Sequence, residues 1–139
     1  REPAGPAVHR RAAVVERMLG GGLTPGQTRE RAGDLARMRP NDKLVSHVVT
    51  AFATRCPVSI KLFWRLLQMA DGITDIGAAL TLDYHLAMRM IRRGDFVEGV
   101  RAALVDRGTA PNWPPSSLAL VDEALLNTLF DRDGLPPLC

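Results

Sequence analysis

The stretch Asp95–Arg107, with the sequence DFVEGVRAALVDR, leads into Pro111–Pro114, with the sequence PNWP, and this part of the chain decides the interpretation. Asp95 is a favoured residue at a helix N-cap, and Glu98 follows three positions later, where a capping-box acid is expected. Apolar residues at helical spacing predict a buried stripe on this helix: Phe96, Val100, Ala103 and Leu104. The stretch therefore predicts a short capped helix that runs into a structured proline-tryptophan turn.

Helical spacing interrupted by glycine and proline continues through the rest of the chain, and no alternating strand pattern of useful length occurs. We predict an all-α fold, an irregular bundle of about seven short helices. N-terminal caps are expected at Thr24 (with Gln27), Asp42, Thr74, Asp95, and Ser117 or Asp122. The predicted helices are Ala7–Leu19, Pro25–Met38, residues 43–55, Val58–Met69 after Pro57, Asp75–Arg93 closed by Gly94, the helix from Asp95, and a last helix ending at Phe130.

Apolar residues cover most of the circumference of the helix Val58–Met69, which predicts deep packing. The large aromatic residues are expected to be mostly buried: Phe63, Trp64, Phe96 and Trp113. If Trp64 belongs to the core, its truncation to alanine should cost about 3–5 kcal/mol.

The 139 residues suit one domain, and 46% hydrophobic with 24% charged residues is ordinary for a globular protein. Residues 1–40 hold eight arginines against four acids, whereas the whole chain carries a net charge of +3. An arginine-rich surface for RNA or phosphate is one interpretation, and solvated helix faces are the other.

Two cysteines, Cys56 and Cys139, do not make a disulfide framework, which favours a reducing compartment such as the cytosol or the mitochondrial matrix. No apolar run has the length of a membrane span, and the start lacks the apolar centre of a signal peptide. Because the chain begins with Arg1, we expect that it is processed or cut from something longer. An arginine-rich start also suits the remnant of a transit peptide.

Few residues suggest chemistry. His9, His47 and His85 do not stand at metal-ligand spacing, so no metal site and no cofactor is expected, and His85 is interpreted as a helix-surface residue. Cys56 at a helix start could be reactive, but a structural role is favoured. Asp95 and Glu98 are explained by capping, and Asp83 and Asp106 have no assigned partner. Lys61, at i, i+4 from Arg65, is either a phosphate or carboxylate contact or a side chain that extends from the edge of the core to water.

Three motifs in order resemble the 3-hydroxyisobutyryl-CoA hydrolases, a branch of the crotonase (enoyl-CoA hydratase) superfamily. Cys56–Lys61 (CPVSIK) is similar to that family's SP-x-S-[LI]-K segment, with Cys56 in place of the usual serine. Leu82–Leu86 (LDYHL) resembles an acidic-Tyr-aliphatic stretch on a long helix. The opening stretch resembles the DF-x-EG-[VI]-RA-x-[LI]-[ID]-K block with its following P-x-W-x-P. The match spans Arg55–Trp113, with a weaker match over Ala7–Thr54.

The resemblance implies that residues 1–139 form a single helical C-terminal region of a crotonase-type protein. Its parts would be a loose N-terminus (1–6), weakly matched helices (7–55), a family-like segment (56–130) and a tail (131–139). The family's oxyanion-hole amides and catalytic carboxylates belong to a core that this chain does not match, so no catalytic residue is carried over. Lys61 is the candidate for a CoA contact. Some apolar helix faces are expected to have that core as their partner, which would leave an exposed patch.

Two functions follow from the resemblance. The chain could be the C-terminal part of an acyl-CoA thioester hydrolase of valine breakdown, not catalytic alone, that packs on and closes a crotonase core. Alternatively, it could be a non-catalytic mitochondrial ribosomal small-subunit protein derived from this family, in contact with ribosomal RNA and proteins. The arginine excess in residues 1–40 favours the second function, and the family's dominant activity favours the first. Neither function involves a membrane.

Overall fold

The structure, a computed structural model, describes residues 22–131. The chain divides into two compact units, Arg1–Arg55 and Cys56–Cys139, of which residues 22–55 and 56–131 are described. Across those residues there are six α-helices and no strand, which agrees with the all-α prediction. The predicted helix Ala7–Leu19 lies outside the described residues, as do the start at 1–6 and most of the tail. None of the helices between residues 22 and 131 is both long and apolar enough to cross a bilayer.

The first unit is a helix pair, α1 (Pro25–Met38) and α2 (Lys43–Thr54). The capping box at the start of α1 is confirmed, because the Thr24 amide donates to Gln27 Oε1 at 2.8 Å and the Gln27 amide donates to the Thr24 hydroxyl. Asp42 caps α2 as predicted, with its carboxylate accepting from the Leu44 amide at 3.0 Å. The small core of this unit contains Ala32, Leu35 and Val45. Met38, the last residue of α1, is exposed.

The second unit begins with α3 (Pro57–Met69), in which Pro57 occupies the first turn as predicted. A 3₁₀ turn (Ala70–Gly72) and α4 (Ile76–Arg93) follow. The chain continues with α5 (Asp95–Val100), a π-helical turn (Arg101–Val105), a 3₁₀ turn (Leu118–Leu120) and α6 (Glu123–Phe130).

The caps of α4 and α6 follow the predictions with one shift. The cap of α4 is Asp75 and not Thr74, because the Asp75 carboxylate reaches the Ala78 amide at 2.8 Å. Gly94 closes α4 with φ of 90°, a left-handed conformation that glycine adopts without strain. Between the two predicted caps for the last helix, the structure selects Asp122, whose carboxylate accepts from the Leu125 amide at 2.7 Å.

The core of the second unit joins one side each of α3, α4 and α6. Its buried residues are Cys56, Val58, Leu62, Leu82, Leu86, Val121, Leu126 and Leu129. Complete burial of an aliphatic side chain of this size contributes about 1.5–3 kcal/mol. These contacts therefore provide most of the apolar stabilisation of the unit.

Aromatic burial was predicted wrongly at two positions and partly at two others. Phe63 and Phe96 are each 58% exposed, so neither belongs to the core. Trp64 is half-buried, and Trp113 is half-buried against the core of the second unit. Helix α3 buries Pro57, Val58 and Leu62 on one side only, so the expected deep packing around its circumference is absent within this unit. The apolar pattern identified the helices correctly, but it did not show which apolar faces this chain itself covers.

Candidate functional site

Lys61, the candidate for a CoA contact, lies half-buried on α3. Its Nζ donates to the carbonyl oxygen of Val121 at 2.5 Å, across sixty positions of sequence. Val121 is itself fully buried just before α6. The ammonium therefore links α3 to the start of the last helix. The Lys61 side chain does not simply extend from the edge of the core to water. An ammonium has three donors, so this bond leaves others for a ligand.

Arg65, one turn after Lys61, makes a parallel link to α6. Its Nη1 donates to Asn127 Oδ1 at 2.7 Å, and its guanidinium carbon lies 4.7 Å from the centre of the Phe130 ring. The Glu123 carboxylate is 3.9 Å away and largely exposed, so that ion pair is weak. The two cations of α3 thus hold the last helix against α3.

Glu98 fastens the proline-tryptophan loop to α5, and the predicted capping box is wrong. The carboxylate accepts from Arg101 Nε and Nη2, each at 2.7 Å, and from the Asn112 amide at 2.6 Å. The Arg101 hydrogen bonds and then the Asn112 N–H lower the pKa of Glu98 from 4.5 to about 2. The hydrogen bonds to Glu98 and then the bond to the Asp106 carboxylate, at 2.7 Å, raise the pKa of Arg101 further above its usual range. Asp106, without an assigned partner in the sequence, therefore has one.

Asp95 is the first residue of α5, not its cap, and Gly94 precedes the helix. The Asp95 side chain is buried and pairs with Arg93 Nε at 2.8 Å. Arg93 Nη2 in turn donates to the Pro114 carbonyl at 2.7 Å, so this ion pair also holds the loop. Asp95 Oδ1 is buried without a hydrogen-bond partner. At both acids, side-chain bonds that hold the loop replace the predicted capping: Asp95 acts through Arg93, and Glu98 binds the Asn112 amide directly.

Close packing completes the attachment of the loop. A Cβ atom added to Gly99 would lie 3.3 Å from Cη2 of Trp113, so the indole rests directly on the helix backbone at the residue without a side chain. Glycine at this position allows the ring to approach this closely.

The opposite side of the same segment points away from the rest of the unit. Phe96, Val97, Val100, Leu104 and Val105 are all exposed, and we name this set the outer stripe. Leu104 and Val105 reach 63% and 72% exposure. The predicted burial of Phe96, Val100, Ala103 and Leu104 is therefore wrong within this unit.

His85 is a second correction. It is only 8% exposed, not a helix-surface residue, and both of its ring nitrogens are buried without a hydrogen-bond partner. Its ring centre lies 5.8 Å from that of Tyr84. On α4, His85 shares the buried side with Leu82 and Leu86, at positions i+3 and i+4. The helical spacing of Leu82 and Leu86 was the signal that could have predicted His85 on the buried side of the helix.

The other candidate residues are dispersed. His47 is exposed on α2, with Nδ1 2.7 Å from the Lys43 carbonyl oxygen, and His9 lies outside the described residues. Cys56 is a buried free thiol in the core, which supports the structural role. Asp83 is exposed on α4. Between residues 22 and 131, no group of three or more His, Cys, Asp or Glu side chains could hold a metal ion.

The polar side chains that the structure brings together therefore serve the backbone. Glu98 accepts from a loop amide, Arg93 and Lys61 donate to backbone carbonyls, and Arg101 pairs with the carboxylates of Glu98 and Asp106. The Glu98–Asn112 contact was missed in the sequence because it joins a side chain to a backbone amide fourteen positions later. The Glu98–Arg101 pair, by contrast, stands at i, i+3 and could have been found from spacing.

Comparison with known proteins identifies a matching family and several similar proteins. The family model described as enoyl-CoA hydratase/isomerase matches residues 3–130. Human mitochondrial 3-hydroxyisobutyryl-CoA hydrolase is 39% identical over 78 residues, which are 56% of this chain and 20% of that protein. The mitochondrial 3-hydroxyisobutyryl-CoA hydrolase of Gallus gallus is 36% identical over 79 residues, with the same coverage. The chain thus spans about a fifth of the length of these relatives.

A solved structure supports the fold. The carnitinyl-CoA dehydratase from Mycobacterium thermoresistibile superposes with a TM-score of 0.72 at 24% identity, covering 94% of this chain and 35% of that one. At this identity the likeness establishes the helical arrangement and no activity. Because the family model matches most of its residues, the chain belongs to the enoyl-CoA hydratase/isomerase family.

Proposed function

We propose that this chain acts as the C-terminal portion of a mitochondrial 3-hydroxyisobutyryl-CoA hydrolase-like protein. In this proposal it packs on and closes a crotonase core, and the core provides the oxyanion donors and carboxylates for thioester hydrolysis in valine breakdown. The chain contributes no catalytic residue of its own. The names of the human and Gallus gallus relatives support both the reaction and the location.

One observation carries the proposal: the second unit leaves many large apolar side chains exposed. Between Cys56 and Asp131, twelve large apolar residues are exposed, whereas nine apolar residues are buried. Residues 22–55 of the first unit expose only one, Met38. Soluble monomers rarely leave large contiguous apolar patches in water. The imbalance is the property expected of part of a larger body.

Lys61 is the proposed contact to the CoA side of the substrate. Its bond to the Val121 carbonyl holds the ammonium in a fixed position, and the remaining donors are able to reach a phosphate. Lysine binds phosphate as a point charge, so Lys61→Arg should retain binding better than Lys61→Met.

A graft tests the proposal. The region of human 3-hydroxyisobutyryl-CoA hydrolase that this chain matches would be replaced by the 78 aligned residues of this chain, and release of CoA from 3-hydroxyisobutyryl-CoA would be measured. We expect turnover by the graft and none by the 139-residue chain alone. A graft with the melting profile of the parent enzyme but without turnover would refute the proposal.

Two further arms use the same graft and the free chain. Lys61→Met in the graft should raise KM with little change in kcat, and an unchanged KM would rule out the CoA contact. The ribosomal alternative predicts that the free chain binds structured RNA with an affinity that falls steeply with salt. Within the described part of residues 1–40, Arg37 pairs with Asp34, so Arg37→Ala is not expected to weaken RNA binding in this test.

A further inference from the structure

We infer that the outer stripe of Phe96, Val97, Val100, Leu104 and Val105 is the face by which this region docks on the preceding body of its family's polypeptide. The inference rests on the proposed function and names the surface that function requires. The partner surface would be a predominantly apolar groove, because the stripe itself carries no charged side chain.

The segment is amphipathic with its polarity reversed relative to a surface helix. Its acids Asp95 and Glu98 are turned toward this chain, and Asp95 is only 4% exposed. Its large apolar residues are turned toward water. A surface helix of a free-standing domain has the opposite arrangement, with its apolar side against the core. Local hydrophobic burial therefore does not explain this orientation.

Three attachments prevent the segment from rolling to bury the stripe. Glu98 holds the Asn112 amide, Arg93 bridges Asp95 and the Pro114 carbonyl, and the Trp113 ring fills the space above Gly99. Release of the first two would leave charged groups without their partners, which is unfavourable in a half-buried setting. The stripe is thus presented outward as a fixed surface.

The π-helical turn extends this surface by another turn. The Asp106 amide donates to the Arg101 carbonyl at 2.8 Å, five positions back, and the Arg101 side chain holds the Asp106 carboxylate. Leu104 and Val105 lie within this turn and are the most exposed members of the stripe. Five large apolar residues within ten positions make this segment the densest exposed apolar part of residues 22–131.

The coverage of the matched proteins decides between a covalently joined body and a second copy of this chain. The carnitinyl-CoA dehydratase contains the same fold over 94% of this chain, joined to a remainder of nearly twice its length. The human hydrolase has an even longer remainder. A joined body is present at an effective concentration of the order of millimolar, well above that of a free second copy. We therefore assign the preceding body of the polypeptide, and not a second copy of this chain, as the partner of the outer stripe.

The test compares one substitution in two settings. Leu104→Glu should leave the melting midpoint of the free 139-residue chain within about 2 °C, because the residue is already in water. In the graft described above it should lower the midpoint by about 5 °C or more, because a charge would enter an apolar interface. Ala124→Glu, at an exposed position of α6, is the matched control and should be neutral in both settings.

Each other outcome overturns the inference. Leu104→Glu could prove neutral in both proteins, or equally damaging in both. An unmodified graft could fail to fold where the parent hydrolase folds, or the free chain could sediment as a dimer that Leu104→Glu dissolves, which would make a second copy the occupant. Turnover is scored separately: an inactive graft that still shows the Leu104-specific destabilisation contradicts the proposed reaction and leaves the docking face standing.

Discussion

Replacing His85 by leucine should stabilise the second unit. The imidazole is 8% exposed, and neither ring nitrogen has a hydrogen-bond partner. Burial of an unsatisfied polar group costs about 1–3 kcal/mol, and an apolar side chain of similar size avoids that cost. We therefore expect His85→Leu to raise the free energy of unfolding by about 1–3 kcal/mol. For a unit of this size, each kcal/mol corresponds to about 4–8 °C in melting temperature.

Tryptophan fluorescence isolates the relevant unit, because both tryptophans of the chain, Trp64 and Trp113, lie in it. Urea unfolding of the 139-residue chain followed at this signal would give the free energy directly. His47→Leu, at an exposed histidine of the first unit, is the matched control and should leave the curve unchanged. A loss of stability of 1 kcal/mol or more in His85→Leu would show that the ring makes a favourable polar contact and that the packing argument is wrong.

Three further predictions concern the same unit. Phe63→Ala should change the free energy of unfolding in urea by less than about 0.5 kcal/mol, since the ring is mostly in solvent. Leu126→Ala, in the core, should lower the free energy of unfolding by about 2–5 kcal/mol. Equal effects of the two substitutions would contradict the core assignment. Lys61→Met should cost about 1–3 kcal/mol in the same assay, because the buried Val121 carbonyl loses its donor, and no change would show that the bond is unimportant. Because the pKa of Glu98 is lowered to about 2, its contribution to stability is complete above pH 4.5 and is lost as pH falls through about 2. Glu98→Gln should therefore remove this part of the dependence of the melting temperature on acid pH. A variant whose melting temperature depends on pH as the wild type does would refute the prediction.

Local signals predicted the helices and most of their caps. Thr24 with Gln27 and Asp42 act as predicted because each cap depends on backbone within three residues of itself. Gly94 closes α4 for the same reason, since the left-handed turn needs only its own backbone freedom. The helical class and the family segment were therefore accessible from the sequence.

Long-range contacts explain what the sequence did not predict. Asp95 and Glu98 stand at capping spacing, but each carboxylate found a partner that holds the loop after α5. Phe63 and Phe96 were assigned to the core because apolar spacing marks a face for burial without identifying the body that buries it. Lys61 could be singled out by its scarcity, yet its bond to the Val121 carbonyl depends on how α3 meets the start of α6.

In the proposed function, these helices are one part of a thioester hydrolase whose reactive groups reside elsewhere. Incubation of the purified 139-residue polypeptide with 3-hydroxyisobutyryl-CoA, with free thiol followed over time, examines this claim most directly. We expect the thiol to appear no faster than in buffer. Sustained turnover, proportional to protein concentration and retained after further purification, would contradict the account.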